Sequence, residues 1–145
     1  PDQRLFVAKF DESTFVDQRF TRLLLKNQEV SSDLIHALLN SVYGMFAMEA
    51  IGFGRGLGVL DASSTKLKHM YMIDPQRVAA QDRIEIIALF NKIKTRNVMN
   101  TKDELKDPDR EAFDRKVLQA IGREPFYESI KKSLLSMQHT RHCIK

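Results

Sequence analysis

The sequence predicts an α+β fold, with a small incomplete β-sheet, one buried central helix and a C-terminal set of amphipathic helices. Three observations lead to this fold class. Runs with strand composition precede residue 30, a strongly apolar stretch fills residues 34–51, and helical periodicity with many basic residues follows Pro75. We expect residues 1–74 and 75–145 to pack as one structural unit that belongs to a larger protein.

Two N-terminal runs have the composition of β-strands. Residues 4–10 and 20–25 are rich in aromatic and aliphatic side chains, and a polar turn at 11–13 follows the first run. Because two strands alone are marginally stable, we expect them to complete a sheet whose other strands lie upstream of Pro1. A further short strand is predicted at 70–73.

The apolar stretch at 34–51 predicts one long helix, with Ser31 or Ser32 as its N-cap. Apolar side chains cover nearly its whole circumference, which is typical of a core helix. It is too short for a membrane span, and the polar residues Asn40, Ser41 and Glu49 interrupt it. Asn40 and Ser41 then lie next to buried surface, so each needs a hydrogen-bond partner.

A loop with four alternating glycines follows this helix: Gly52, Gly54, Gly56 and Gly58 surround Phe53, Arg55 and Leu57. Gly52 can end the helix as a C-cap. The other glycines indicate either tight packing and turn geometry or contact with a ligand or nucleic acid. A mononucleotide or S-adenosylmethionine cradle is disfavoured, because such loops follow a strand and open a helix.

The second half of the chain contains several helix-start signals. Asp74-Pro75 predicts a helix to about residue 95, and Asp107-Pro108 predicts another that ends near Gly122. Ser63 and its neighbours offer N-cap oxygens for a turn of helix over 65–69. A capping box at Thr101 and Glu104 and a last helix from Pro125 complete the set. We expect the last two helices to form an αα-hairpin packed on the core helix.

The net charge of +4 arises from 23 Lys and Arg against 19 Asp and Glu. Residues 1–70 are balanced, so residues 71–145 carry the whole excess, which permits nucleic-acid binding without requiring it. Cys143 is the only cysteine, which excludes a disulfide framework. With no signal peptide and no transmembrane run, we expect a cytoplasmic location and no membrane partner.

The sequence shows no recognisable catalytic constellation or metal site. His36 lies in the apolar helix, where a hydrogen-bonded core or groove residue is a better interpretation than a metal ligand. His139, His142 and Cys143 are neighbours, but a structural zinc site needs four ligands and no second cluster exists. The charged residues of the penultimate helix indicate a solvated face: Asp109, Arg110, Glu111, Asp114, Arg115 and Lys116.

Cationic side chains cluster at and just after the glycine loop, where Arg55 is followed by Lys66, Lys68 and His69. Cations beside backbone N–H groups at turns suit phosphate oxygens, which position a nucleic acid without reading its sequence. An ordinary surface loop with exposed lysines is an equally weighted alternative.

Several residue runs together resemble a known family. They are Leu38-Leu39-Asn40-Ser41, the Gly-Arg-Gly-Leu-Gly loop, Leu60-Asp61-x-Ser63, Lys66-Leu67-Lys68 and Asp74-Pro75. With Arg110-x-x-Phe113-Asp114 and the final helix, they resemble the C-terminal, target-recognition region of bacterial adenine-specific DNA methyltransferases of restriction–modification systems. The likeness covers residues 4–141.

The resemblance implies a parent enzyme that transfers a methyl group from S-adenosylmethionine to the N6 atom of a flipped adenine. The family's catalytic Asn/Asp-Pro-Pro-aromatic motif and its cofactor glycine motif are absent here. The fragment is therefore expected to be non-catalytic, without cofactor or metal, and to hold double-stranded DNA for a catalytic domain upstream in the same chain. The DNA-binding residues implied are Gly54, Arg55, Gly56, Gly58, Ser63, Lys66 and Lys68.

Two other functions remain open from the sequence. The helices after Pro75 suit a protein-interaction module that docks a partner subunit. A less favoured alternative is an enzyme domain that uses the glycine loop to bind a nucleotide.

Overall fold

The computed structural model describes residues 3–17, 20–26, 29–55 and 59–143. Its α-helices are α1 (Ser32–Asn40), α2 (Val42–Ile51), α3 (Ser64–Leu67), α4 (Ala80–Ile93), α5 (Thr101–Glu104), α6 (Pro108–Ala120) and α7 (Tyr127–Cys143). Single 3-10 turns occupy Pro75–Arg77 and Glu124–Phe126. Two three-residue strands, β1 (Phe53–Arg55) and β2 (Val59–Asp61), complete the elements of the described residues.

The predicted α+β class is wrong, because the molecule is 58% helix. Its β1 and β2 form only a short antiparallel ribbon in which Gly54 lies opposite Leu60. Residues 4–10, 20–25 and 70–73 contain no strand. Their composition is that of strands, but composition does not supply the partner that a strand needs.

The side chain of Asn40 takes the place of a neighbouring strand for the N-terminal segment. The Val7 N–H donates to Asn40 Oδ1 and Asn40 Nδ2 donates to the Val7 carbonyl, both at 2.9 Å. Further along, the N–H and hydroxyl of Thr101 both donate to the Gln3 carbonyl. The expectation that Asn40 needs a hydrogen-bond partner is confirmed, and residues 3–7 are held by helices rather than by a sheet.

The predicted single core helix is divided at Ser41 into α1 and α2, which meet at an angle of 69°. The Ser41 hydroxyl donates to the Leu38 carbonyl at 2.7 Å and accepts the Gly44 N–H at 3.1 Å. It therefore ends one helix and caps the next. Gly44 permits the bend, since a Cβ there would lie 2.3 Å from the Leu39 carbonyl oxygen.

A buried ion pair on α6 stabilises this break. Arg110 Nε lies 2.8 Å from Asp114 Oδ2, and both residues are buried. Arg110 also donates to the Asn40 carbonyl, while Asp114 Oδ1 accepts the Val42 N–H at 2.7 Å. The predicted solvated face is therefore wrong for Arg110 and Asp114, which serve backbone groups exposed by the bend.

Two connected apolar clusters form the core. One joins α1, α4 and α6 around Phe90 and Phe113, whose ring centroids are 5.2 Å apart. The other joins α2, α6 and α7 around Met45 and the fully buried Tyr127. In the predicted αα-hairpin, α7 packs mainly on α2, whereas α6 packs mainly on α4.

Most of the predicted helix starts are confirmed. Ser31, Ser63 and Asp107 cap α1, α3 and α6 through their side chains, and Asp74 caps the 3-10 turn that precedes α4. The helix predicted from Pro75 begins as α4 only at Ala80, and the one predicted from Pro125 begins as α7 at Tyr127. The predicted capping box at Thr101 and Glu104 is wrong, because Asn100 is the N-cap of α5.

Within the described ranges, no single helix is long and apolar enough to cross a membrane. α1 and α2 meet that condition only when the bent pair is taken together.

Candidate nucleic-acid interface

Two of the seven predicted DNA-binding residues, Gly54 and Arg55, lie on β1 of the β1–β2 ribbon. Arg55 pairs with Val59, so the glycine loop connects the two paired strands. Gly56 and Gly58 lie outside the residues that the structure describes. Sequence reasoning placed the glycine loop directly after the core helix and did not predict β1 or its pairing with β2.

The two glycines that precede the loop's tip are explained by close packing. A Cβ at Gly52 would lie 2.3 Å from Leu60 Cδ1, and one at Gly54 would lie 3.2 Å from Arg141 Cγ. Gly52 also ends α2, where its N–H donates to the Met48 carbonyl at 3.1 Å. For these two positions the tight-packing interpretation and the predicted C-cap are confirmed.

Arg141 packs against Gly54 of the ribbon, and its charge is neutralised by Glu49. Its Nε and Nη2 atoms lie 2.7 and 3.2 Å from the two carboxylate oxygens of Glu49, and both side chains are buried. The pair joins α7 to α2 and presents the aliphatic part of Arg141 to Gly54. Sequence reasoning did not identify Glu49 as the partner of Arg141.

The remaining predicted residues lie at α3, which follows β2: Lys66 is within the helix, and Ser63 and Lys68 flank it as its caps. The Ser63 hydroxyl accepts the Lys66 N–H at 3.4 Å, so its first role is to cap α3. Lys68 and His69 are exposed, whereas Lys66 is half-buried. We refer to β1, β2 and residues 63–69 as the ribbon–α3 surface. Of the predicted DNA-binding residues, this surface contains Gly54, Arg55, Ser63, Lys66 and Lys68.

Asp61 is the acidic residue within this surface, at the end of β2, where it is half-buried. In the last turn of α7, His139 Nε2 lies 3.6 Å from Cys143 Sγ. Among the described residues, no group of three or more His, Cys, Asp or Glu side chains is arranged to hold a metal ion.

A separate concavity of about 250 Å³ lies between the N-terminal segment and the end of α4. His36 lines it, with Nε2 at 2.9 Å from the Val7 carbonyl and its ring edge-on to Phe90 at 4.9 Å. Burial lowers the pKa of His36, and nearby Lys9 acts in the same direction. The prediction of a hydrogen-bonded core or groove histidine is confirmed.

Charged groups beside that concavity are engaged with one another. Arg96 lies 2.8 Å from Asp107 and also pairs with Glu104. The Arg96 guanidinium lowers the pKa of the Asp107 carboxyl, chiefly through their hydrogen bond. Neither the Glu104 nor the Asp107 carboxylate is paired with a nucleophile. We therefore interpret this cluster as a stabilising network between α4, α5 and α6.

Comparison with protein-family models, with curated proteins and with solved structures found no match for this chain.

Proposed function

We propose that this chain is a DNA-binding, target-recognition segment of an N6-adenine DNA methyltransferase of a restriction–modification system. In this proposal, a catalytic region of the same chain binds S-adenosylmethionine and performs methyl transfer, while the described segment holds double-stranded DNA in the cytoplasm. The residue runs quoted above for the family resemblance support the family assignment.

The observation that carries the proposal is the composition of the ribbon–α3 surface. Exposed Lys68 and His69 and the Ser63 hydroxyl lie on the segment that directly follows the Gly-Arg-Gly-Leu-Gly loop. Such cations and hydroxyl groups suit phosphate oxygens, which fix the register of a protein on a duplex. The packing of Gly54 on Arg141 fixes this surface to the helical body.

The interface is tested by binding of a fluorescently labelled DNA duplex at a series of salt concentrations. Phosphate contacts release counterions, so the affinity should fall steeply as salt rises. Arg55→Glu and Lys68→Glu should each weaken DNA binding. Each should also make the plot of log affinity against log salt concentration less steep, by the equivalent of about one phosphate contact or more. The matched control is Lys92→Glu, which makes the same charge change at an exposed position on α4.

An equal loss of affinity in Lys68→Glu and Lys92→Glu would contradict the assigned surface. If the chain does not bind DNA, but binds a partner protein with an affinity that does not depend on salt, the result would favour the protein-interaction module instead. Heat released on titration with S-adenosylmethionine would favour the nucleotide-binding enzyme domain, because the proposal expects the cofactor to bind elsewhere in the parent.

A further inference from the structure

Apolar side chains from two parts of the chain line the concavity between the N-terminal segment and the end of α4. Phe90 and Ile93 of α4 are buried in the core, each only 6% exposed. Phe6, Val98 and Met99 line the same concavity but are 50%, 42% and 38% exposed. Exposed apolar side chains that share one concave surface, rather than lying singly, indicate a binding site for a small molecule.

The volume of the concavity, about 250 Å³, limits the size of the molecule that it can hold. An apolar cavity of about 150 Å³ holds benzene, whereas the sites of drug-sized ligands occupy about 300–1,000 Å³. The concavity therefore suits an apolar body of about ten non-hydrogen atoms. Phe6 and Phe90 offer ring surface from two segments of the chain, which favours an aromatic body through contacts between rings.

Two of the cations that line the concavity are neutralised by carboxylates of the same chain. Lys9 Nζ lies 2.7 Å from Asp33 and 3.0 Å from Asp11. Arg110 Nε lies 2.8 Å from Asp114. These two cations therefore leave no net charge for a ligand to compensate.

Lys94 is the cation of the lining whose charge is not compensated. Glu104 is the acidic residue among the described residues of the lining, and it is paired with Arg96. Lys94 has no ion pair or side-chain hydrogen bond to any described residue. Burial is the main cause of the lowered pKa of His36, and the charges of Lys9 and Lys94 lower it further, so both cations act on this side of the concavity.

We propose that the concavity binds a small aromatic carboxylate, with its ring against Phe6 and Phe90 and its carboxylate beside Lys94. An organic cation of the same shape would be repelled by Lys94, and an uncharged analogue would gain the apolar contacts alone. None of the described residues of the ribbon–α3 surface lines the concavity. This site is therefore separate from the proposed DNA interface, and neither proposal depends on the other.

Three indole derivatives that differ in charge test the proposal in the absence of DNA. They are indole-3-acetate, which is an anion, indole-3-acetamide, which is neutral, and tryptamine, which is a cation. In a titration followed by NMR, we expect indole-3-acetate to bind with a dissociation constant below about 1 mM. It should bind at least about threefold more tightly than the amide, as one partly exposed ion pair allows, and tryptamine should bind more weakly than either.

Substitutions at the charged and apolar parts of the lining locate the bound anion. Lys94→Glu should weaken the binding of indole-3-acetate by at least about fivefold and remove its advantage over tryptamine. Lys92→Glu is the matched control, because Lys92 is exposed on the same helix and does not line the concavity. Val98→Asp should also weaken binding, whereas Ile84→Asp, exposed on α4 and outside the lining, should not.

The ring signals of His36 provide a second measurement. A carboxylate bound beside Lys94 should raise the pKa of His36, and indole-3-acetamide should leave that pKa unchanged, because only the acid brings a negative charge. No binding of indole-3-acetate at concentrations up to about 10 mM would overturn the proposal. Equal affinities for the three indole derivatives would also overturn it, as would an equal loss of affinity in Lys94→Glu and Lys92→Glu.

Discussion

Several buried polar side chains of this molecule bind the backbone of distant segments. Asn40 satisfies both groups of Val7, Thr101 binds the Gln3 carbonyl, and Asp114 accepts the Val42 N–H. A buried polar group without a partner costs free energy, which is why a partner for Asn40 could be predicted from the sequence. Its identity could not, because Val7 lies 33 positions away.

His36 should make the stability of the molecule depend on pH. Burial is the main cause of its lowered pKa, and Lys9 and Lys94 add to it, while the Val7 carbonyl and Asp33 oppose it. The folded state then binds fewer protons than the unfolded state just below pH 6.5, near the pKa of an unfolded histidine. The free energy of unfolding is therefore highest above that pH and falls as pH decreases towards the lowered pKa of His36.

Urea unfolding at a series of pH values measures this dependence. His36→Gln should flatten the change in unfolding free energy between neutral pH and about pH 5, near which carboxylates begin to contribute. His69→Gln is the control, since His69 is exposed. An identical pH dependence in His36→Gln and the unmodified chain would show that His36 carries no part of it.

At the scale of elements, the break between α1 and α2 is the feature that could not be predicted from the sequence. Residues 34–51 are apolar without interruption by proline, so periodicity alone favours one helix. The break requires Ser41 as a cap, Gly44 for the close approach, and Arg110 and Asp114 from another helix. Helix starts marked by local caps, such as Asp107, were predictable because every atom involved lies within one turn.

Gly44→Ala tests which of two opposing effects is larger at this position: the higher helix propensity of alanine or the close contact of its Cβ with the backbone of α1. Helix propensity alone would make alanine more stable by up to about 1 kcal/mol. However, the new Cβ would lie 2.3 Å from the Leu39 carbonyl oxygen, which is backbone and cannot move freely. Overpacking typically costs about 1–3 kcal/mol, so we expect a net loss of stability. Chemical denaturation monitored by circular dichroism decides the sign, and a more stable variant would contradict the close contact.

At the scale of the whole molecule, two buried ion pairs connect the first half of the chain to the second. Arg110 and Asp114 hold the ends of α1 and α2, and Arg141 holds Glu49 of α2. The contacts span up to 92 positions, so sequence spacing gave no signal for them. For the same reason, the position of the ribbon–α3 surface on α7 could not be predicted, although its residues form one recognisable stretch.

Removal of one partner from the α6 pair should destabilise the whole molecule. Asp114→Ala leaves Arg110 as a buried charge without its carboxylate and leaves the Val42 N–H without an acceptor. Breaking a buried pair in this way costs about 3–5 kcal/mol, which equilibrium denaturation should detect as one cooperative shift. Asp109→Ala, on the exposed side of the same helix, should cost less than about 1 kcal/mol. Equal losses of unfolding free energy in Asp114→Ala and Asp109→Ala would show that the Arg110–Asp114 pair does not determine the stability of the molecule.

The Glu49–Arg141 pair also has a consequence for synthesis on the ribosome. At about 5–20 residues per second, Arg141 follows Glu49 after roughly 5–20 seconds. During that interval, the carboxylate of α2 has not yet met its cation, and the aliphatic surface on which Gly54 rests has not been made. The ribbon that carries the glycine loop can therefore take its final position against Arg141 only after α7 has been made, although its own residues are translated before those of α4 to α7.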